Sequence, residues 1–187
     1  RIGLDHSLFC WVWNEYSADC WLYCDDRSGE VADFVKFQTV PGNAKISLIL
    51  VKAAHGNVNR RFSVSAYEVV SALAIKNLRH FEFDNFIEQI ASEDDAHFRY
   101  RIKRNGTPPV DNPEAGRFRD EFLGELRAVG GNIGRDVVVL QPHNRQSTNV
   151  GGNVNNNARC QLHTLLLSAE TACRSLGADF HVVTDRS

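Results

Sequence analysis

Methionine is absent from this 187-residue chain, and lysine is scarce: five of the twenty-one basic residues are lysines and the other sixteen are arginines. The missing initiator implies a chain that starts after processing or after a leader. No lysine lies between Lys103 and Ser187, which argues against a phosphate-binding loop of the lysine-containing kind in that half. Long apolar runs are also missing. Ile46 to Val51 is among the longest, far short of the roughly twenty residues that span a bilayer. The N-terminal residues contain no apolar signal-peptide core. A net charge of −2 gives no basic footprint for nucleic acid or an anionic membrane. Five cysteines, an odd number in a chain of this size, argue against a full disulfide framework and for a reducing compartment.

What remains is a chain of ordinary apolar and charged content, long enough to bury a core. Leu8 to Trp13 and Cys20 to Cys24 are rich in aromatic and branched residues and read as a β-hairpin. Strands are expected at Val31 to Phe37, Ile46 to Val51 and Val58 to Val64, with turns at Asp25 to Gly29, Pro41 to Asn43 and Gly56-Asn57. Ser65 to Glu68 fits a capping box, followed by Val69, Val70, Leu73 and Leu78 at helical spacing. A short helix over Phe86 to Ala91, a half-exposed strand over Phe98 to Lys103 and a tight turn at Asn105-Gly106 follow. Asn112-Pro113 opens a helix with the stripe Phe118, Phe122, Leu123, Leu126 and Val129, closed by Gly130-Gly131. Val137 to Leu140 reads as a central strand. A helix through Leu162, Leu165, Leu166, Ala169, Cys173 and Leu176, stopped by Gly177, precedes a strand at Phe180 to Val183. The expected fold is α+β, an antiparallel β-sandwich flanked by helices, in one domain over residues 1–187.

Candidate chemistry is sparse. Asn149, Gly151 and Gly152 lie in an Asn-rich loop before the last helix, a place that suits a phosphate cradle. Without a lysine, the better reading is a structural loop whose amides bond the backbone. Cys160 and His163, at i and i+3, are spaced for a nucleophilic dyad, but cysteine on a leucine-rich helix commonly fills space. Cys20 and Cys24 would lie ~13 Å apart along a strand, too far for a disulfide or shared zinc. Glu93-Asp94-Asp95 reads as a solvated run, and the histidines other than His163, including His181, show no ligand spacing. No catalytic set, metal site or resident cofactor is expected. Trp11 and Trp13 on one face of the first hairpin, with Cys10 and Val12 on the other, suggest a strand covered on both faces, by its own helices or by another subunit.

In ordered positions along the chain, Cys10 to Ser17 with Leu22, Asn43 to Ile49, Asn57 to Arg60, Arg101 to Gly106, Ser147 to Gly152 and Ala178 to Val183 resemble the polyhedrins of cypoviruses. No helix is expected ahead of the first strand, a departure from that family. The resemblance implies a structural viral protein rather than an enzyme. Such a protein forms trimers that assemble into crystalline occlusion bodies in the host-cell cytoplasm. They hold virus particles and dissolve at alkaline pH, and some members carry lattice-bound nucleotide. The implied partners are the chain itself and the virion, with no membrane and no specific nucleic acid. A release switch needs groups that ionise near about pH 10. Tyr16, Tyr23, Tyr67, Tyr100, Cys10, Cys20 and Cys24 are the candidates. The alternative is a small nucleotide- or phosphate-binding enzyme using the Gly151-Gly152 loop.

Overall fold

The computed structural model describes residues 7–25, 31–40, 43–52, 64–81, 83–94, 98, 100–107, 115–130, 133–141 and 156–184. Among these the fold is α+β, as expected. The strands, however, form one six-stranded mixed sheet instead of an antiparallel sandwich. They are β1 (Trp21–Cys24), β2 (Phe34–Val40), β3 (Asn43–Val51), β4 (Ile102–Arg104), β5 (Gly134–Leu140) and β6 (Ala178–Val183), in the order β4-β1-β2-β3-β5-β6. Five α-helices are described: α1 (Leu8–Glu15), α2 (Val64–Asn77), α3 (Phe83–Ala91), α4 (Ala115–Val129) and α5 (Asn156–Ser175). By its contacts the chain divides into two compact units, residues 1–48 with 79–135, and residues 49–78 with 136–187.

The first unit shows why the expected opening hairpin is replaced. Leu8 to Glu15 is helical. Ser7 is its N-cap: its backbone is extended and its Oγ accepts the Cys10 N–H at 3.0 Å. The aromatic spacing that resembles a strand serves a helix face. Phe9 and Trp13, four residues apart, both meet Phe34 of β2, with ring centroids at 5.2 and 6.4 Å. Trp11 points away and is exposed. The segment buried on both faces is instead β1, all four residues of which are buried. It pairs antiparallel with β2 on one side (Trp21 opposite Phe37, Cys24 opposite Phe34) and with β4 on the other (Trp21 opposite Arg104, Tyr23 opposite Ile102).

Facing residues of an antiparallel pair share a sheet face. Trp21, Tyr23 and Phe37 therefore look one way, toward α4 and Phe98. Trp21 lies 5.8 Å from Phe118 and 5.6 Å from Phe122, and Tyr23 stacks on Phe98 at 5.4 Å. Cys24, Phe34, Leu22 and Lys103 look the other way, where α1 sits. Phe98 to Lys103 is accordingly not a half-exposed strand: Phe98 is fully buried, and only Ile102–Arg104 is extended. Asn105 and Gly106 make the expected tight turn, at φ 50° and 79°. It is closed by the reciprocal bonds between Arg104 and Thr107 at 2.9 and 3.0 Å.

In the second unit α2 packs on α5 and α5 on β6. Val64 begins α2, so Ser65 is inside the helix rather than its cap. Val69 is exposed, and the buried face is Tyr67, Val70, Ser71 and Ala74. The expected strand over residues 58–64 falls mostly outside the described residues, and its last member is helical. On α5, Leu162, Ala169 and Cys173 are buried, and Leu176, just past its end, is exposed. Gly177 at φ 69° ends the helix as expected.

Lys103 joins the two sides of the first unit. It is buried, and its ammonium donates to Trp13 O at 3.1 Å and Asn14 Oδ1 at 3.2 Å while lying 4.6 Å from the Trp13 ring centre. It thus satisfies a carbonyl at the C-terminal end of α1, where positive charge is favoured, and adds a cation–π contact. Lys103→Met keeps the volume and removes both bonds. It should destabilise the chain by about 1–2 kcal/mol, measured by urea unfolding. Unchanged or raised stability would show that desolvation of the ammonium outweighs these contacts.

Candidate functional site

One end of the β4-β1-β2 ladder gathers charge. β1 stops at Cys24, whose N–H bonds Arg101 O at 2.7 Å, and the next residue, Asp25, donates its N–H to Asp33 O at 3.1 Å. Since Cys24 faces Phe34, Asp25 faces Asp33 across the two strands. Directly opposed residues carry their Cβ atoms about 4.5–5.5 Å apart, and like charges so placed repel. Asp25 is fully buried, and its Oδ2 accepts the Val31 N–H at 2.9 Å. Asp33 and Arg101 are half-buried. Two carboxylates thus end the adjacent strands β1 and β2 on one sheet face, while Arg101, which extends β4 opposite Cys24, belongs to the other face. Hard divalent cations take carboxylate oxygens.

This place was not singled out from the sequence, where Asp25 to Gly29 reads only as a turn. The available signal was four acids within nine positions, Asp25, Asp26, Glu30 and Asp33, between two strands. Its meaning depends on the strand pairing that sets Asp25 against Asp33.

The residues singled out from sequence lie elsewhere and are not gathered into one site. Asn149, Gly151 and Gly152 fall outside the described residues, so neither reading of the Gly-Gly loop is tested. Cys160 is exposed rather than a space filler, and His163 beside it is exposed too. Glu93 is buried, contrary to the solvated run expected, and its carbonyl accepts from Arg119. All five cysteines are free thiols; Cys24 ends β1, but Cys20 precedes it and is not on the strand, contrary to the expectation. Arg104 lies over the Trp21 ring at 4.7 Å and forms ion pairs of 2.8 Å with Glu121 and Glu125. Glu125 also accepts the Trp21 indole N–H at 2.8 Å. That cluster fastens α4 to the sheet and closes on itself.

Of the ionisable candidates, Tyr23 and Tyr67 are buried, Tyr16 is half-buried and Tyr100 is exposed. Cys20 and Cys24 are buried and Cys10 is half-buried. Burial raises the Tyr16 phenol. It pushes the Cys20 thiol from 9.0 up to about 11, with nearby Asp19 adding to the rise and Lys36 opposing it. Cys173, not singled out from sequence, is likewise pushed up to about 11 by burial and by Glu170. Lys103 is shifted down by burial and so acts in the opposite sense as pH rises.

No protein-family model, no curated protein and no solved structure matches the chain. No helix among the described residues is long and apolar enough to cross a membrane.

The raised thiols set a stability profile. A thiol that resists ionising in the folded chain contributes stability that is complete below its unfolded value near pH 9. That contribution is lost as pH climbs through about 11. Each of Cys20 and Cys173 should account for about 1–2 kcal/mol of loss. Urea unfolding at a series of pH values should therefore show a fall between pH 9 and 11. The double variant Cys20→Ala/Cys173→Ala should lose most of that slope, whatever its stability at pH 7; an equal slope in both chains would refute the assignment.

Proposed function

We propose that this chain is a divalent-cation-dependent hydrolase of phosphodiesters, with Asp25 and Asp33 as the cation's ligands. The observation that carries this reading is the placement of buried Asp25 opposite Asp33 where β1 and β2 end. A cation held there would supply a water of lowered pKa and polarise a phosphoryl oxygen. Asp25 and Asp33 would hold it against the ladder. Val31 N–H donates to Asp25 Oδ2 and so orients its carboxylate. The reading keeps the phosphate chemistry of the sequence-based alternative but moves it from the Gly151-Gly152 loop to the β1–β2 end.

The test is hydrolysis of bis(4-nitrophenyl) phosphate and of plasmid DNA with Mg²⁺ or Mn²⁺. Activity should vanish with EDTA. Asp33→Asn should lower turnover by about a hundredfold or more while circular dichroism stays unchanged. A folded chain that is inert with every divalent ion tried, or an active Asp33→Asn variant, would sink the reading.

A second reading, self-assembly into alkaline-labile viral occlusion bodies, is favoured by the buried thiols and the half-buried Tyr16. It draws no support from the architecture, because the sandwich implied by the polyhedrin resemblance is not the fold observed. Expression in insect cells discriminates: cytoplasmic crystals that dissolve in carbonate near pH 11 support assembly, and a protein that stays dispersed at high concentration opposes it.

A further inference from the structure

A second group of metal-ligating side chains lies on β5 and β6, neighbours in the sheet, and it does not depend on the hydrolase reading. Asp136 is the third residue of β5 and is 6% exposed. Asp179 and His181 alternate along β6, so both project from the same face of that strand. Both are exposed. One ligand atom from each of the three lies within 4.8 Å of the others. His181 showed no ligand spacing in the sequence, because its companions come from a different strand and from two positions before it.

We propose that Asp136, Asp179 and His181 form a binding site for a zinc-class divalent ion. The Asp136 Oδ1 to His181 Nε2 distance is 3.6 Å. That is too long for a hydrogen bond. It is close to the separation of two ligands that each sit about 2.1 Å from a tetrahedral ion, which is about 3.4 Å. The ligand types narrow the ion. An imidazole selects zinc and its first-row neighbours over magnesium and calcium, which prefer all-oxygen shells. Asp136 is rigid because it sits in a buried strand. The two exposed ligands leave the solvent side for water, completing a three-protein-ligand shell with an open position.

The ion would also do mechanical work. β6 ends the sheet order, and its far end is held by the Gln141 N–H to Val183 O bond of 3.0 Å. A metal bridging Asp136 to Asp179 and His181 would pin the near end. Occupancy should therefore raise the thermal midpoint by mass action.

The metal-free full chain is titrated with zinc sulfate by calorimetry and with cobalt(II) by visible absorption. One equivalent should bind with micromolar or tighter affinity, with the d–d bands of a tetrahedral or five-coordinate site, and excess Mg²⁺ should not displace it. His181→Asn and Asp179→Asn, both at exposed positions, should each weaken binding about tenfold or more without unfolding the chain. Asp25→Asn/Asp33→Asn should leave the cobalt spectrum intact, which separates this site from the proposed hydrolytic one. The proposal is overturned if zinc shows no saturable binding below millimolar concentration, or if His181→Asn binds as tightly as the unsubstituted chain.

Discussion

Burial of β1 on both faces is the constraint on which the first unit depends. Trp21, Leu22, Tyr23 and Cys24 include no charged side chain and are all but inaccessible to water. A strand of this kind is stable only if it is flanked by other strands and covered above and below. β2 and β4 supply the flanks. The Phe118–Phe122 face of α4, with Phe98, covers the Trp21 and Tyr23 side. The Phe9–Trp13 face of α1 covers the other side at Phe34. Helices thus take the place that a second sheet would occupy in a sandwich.

The charged groups follow from the same burial. An ammonium or a carboxylate in this interior needs specific partners. Lys103 finds them at the end of α1. Arg104 finds them in Glu121 and Glu125, where the indole N–H of Trp21 joins the network. These side chains brace helices against the sheet and have a structural purpose in full view. Asp25 and Asp33 face one another across the ladder where the strands end, and the Val31 N–H bonds the Asp25 carboxylate there. The proposed cation would be held by that opposed pair. Asp136, Asp179 and His181 likewise bring ligand atoms within 4.8 Å of one another, with Asp136 Oδ1 3.6 Å from His181 Nε2.

Much of the local structure was legible in the residues. Asn105-Gly106 specified a turn because both positions must adopt positive φ. Gly177 stopped a helix for the same stereochemical reason. The stripe Phe122, Leu123 and Leu126 specified the buried face of α4 through its period. The opening segment misled. Leu8 to Trp13 has the aromatic and branched content of a strand, and a helix of eight residues has little stability of its own. Docking of Phe9 and Trp13 on Phe34 settles the matter, and that contact is not local. The functional reading shifted for a similar reason. A run of acids between strands looks like a solvated turn until the ladder sets Asp25 against Asp33.

The sequence by itself determined the α+β class, the turn at Asn105-Gly106 and the helix ends at Gly130 and Gly177, because those features rest on backbone stereochemistry and on the spacing of apolar residues. It also determined that no phosphate loop of the lysine-containing kind lies after Lys103. Only the tertiary structure decided that the opening segment is a helix, that the strands make one mixed sheet, and which acids face one another. Each of these depends on pairing between segments distant in the chain. The free energy of such pairing comes from burying both partners together, and neither segment carries it alone.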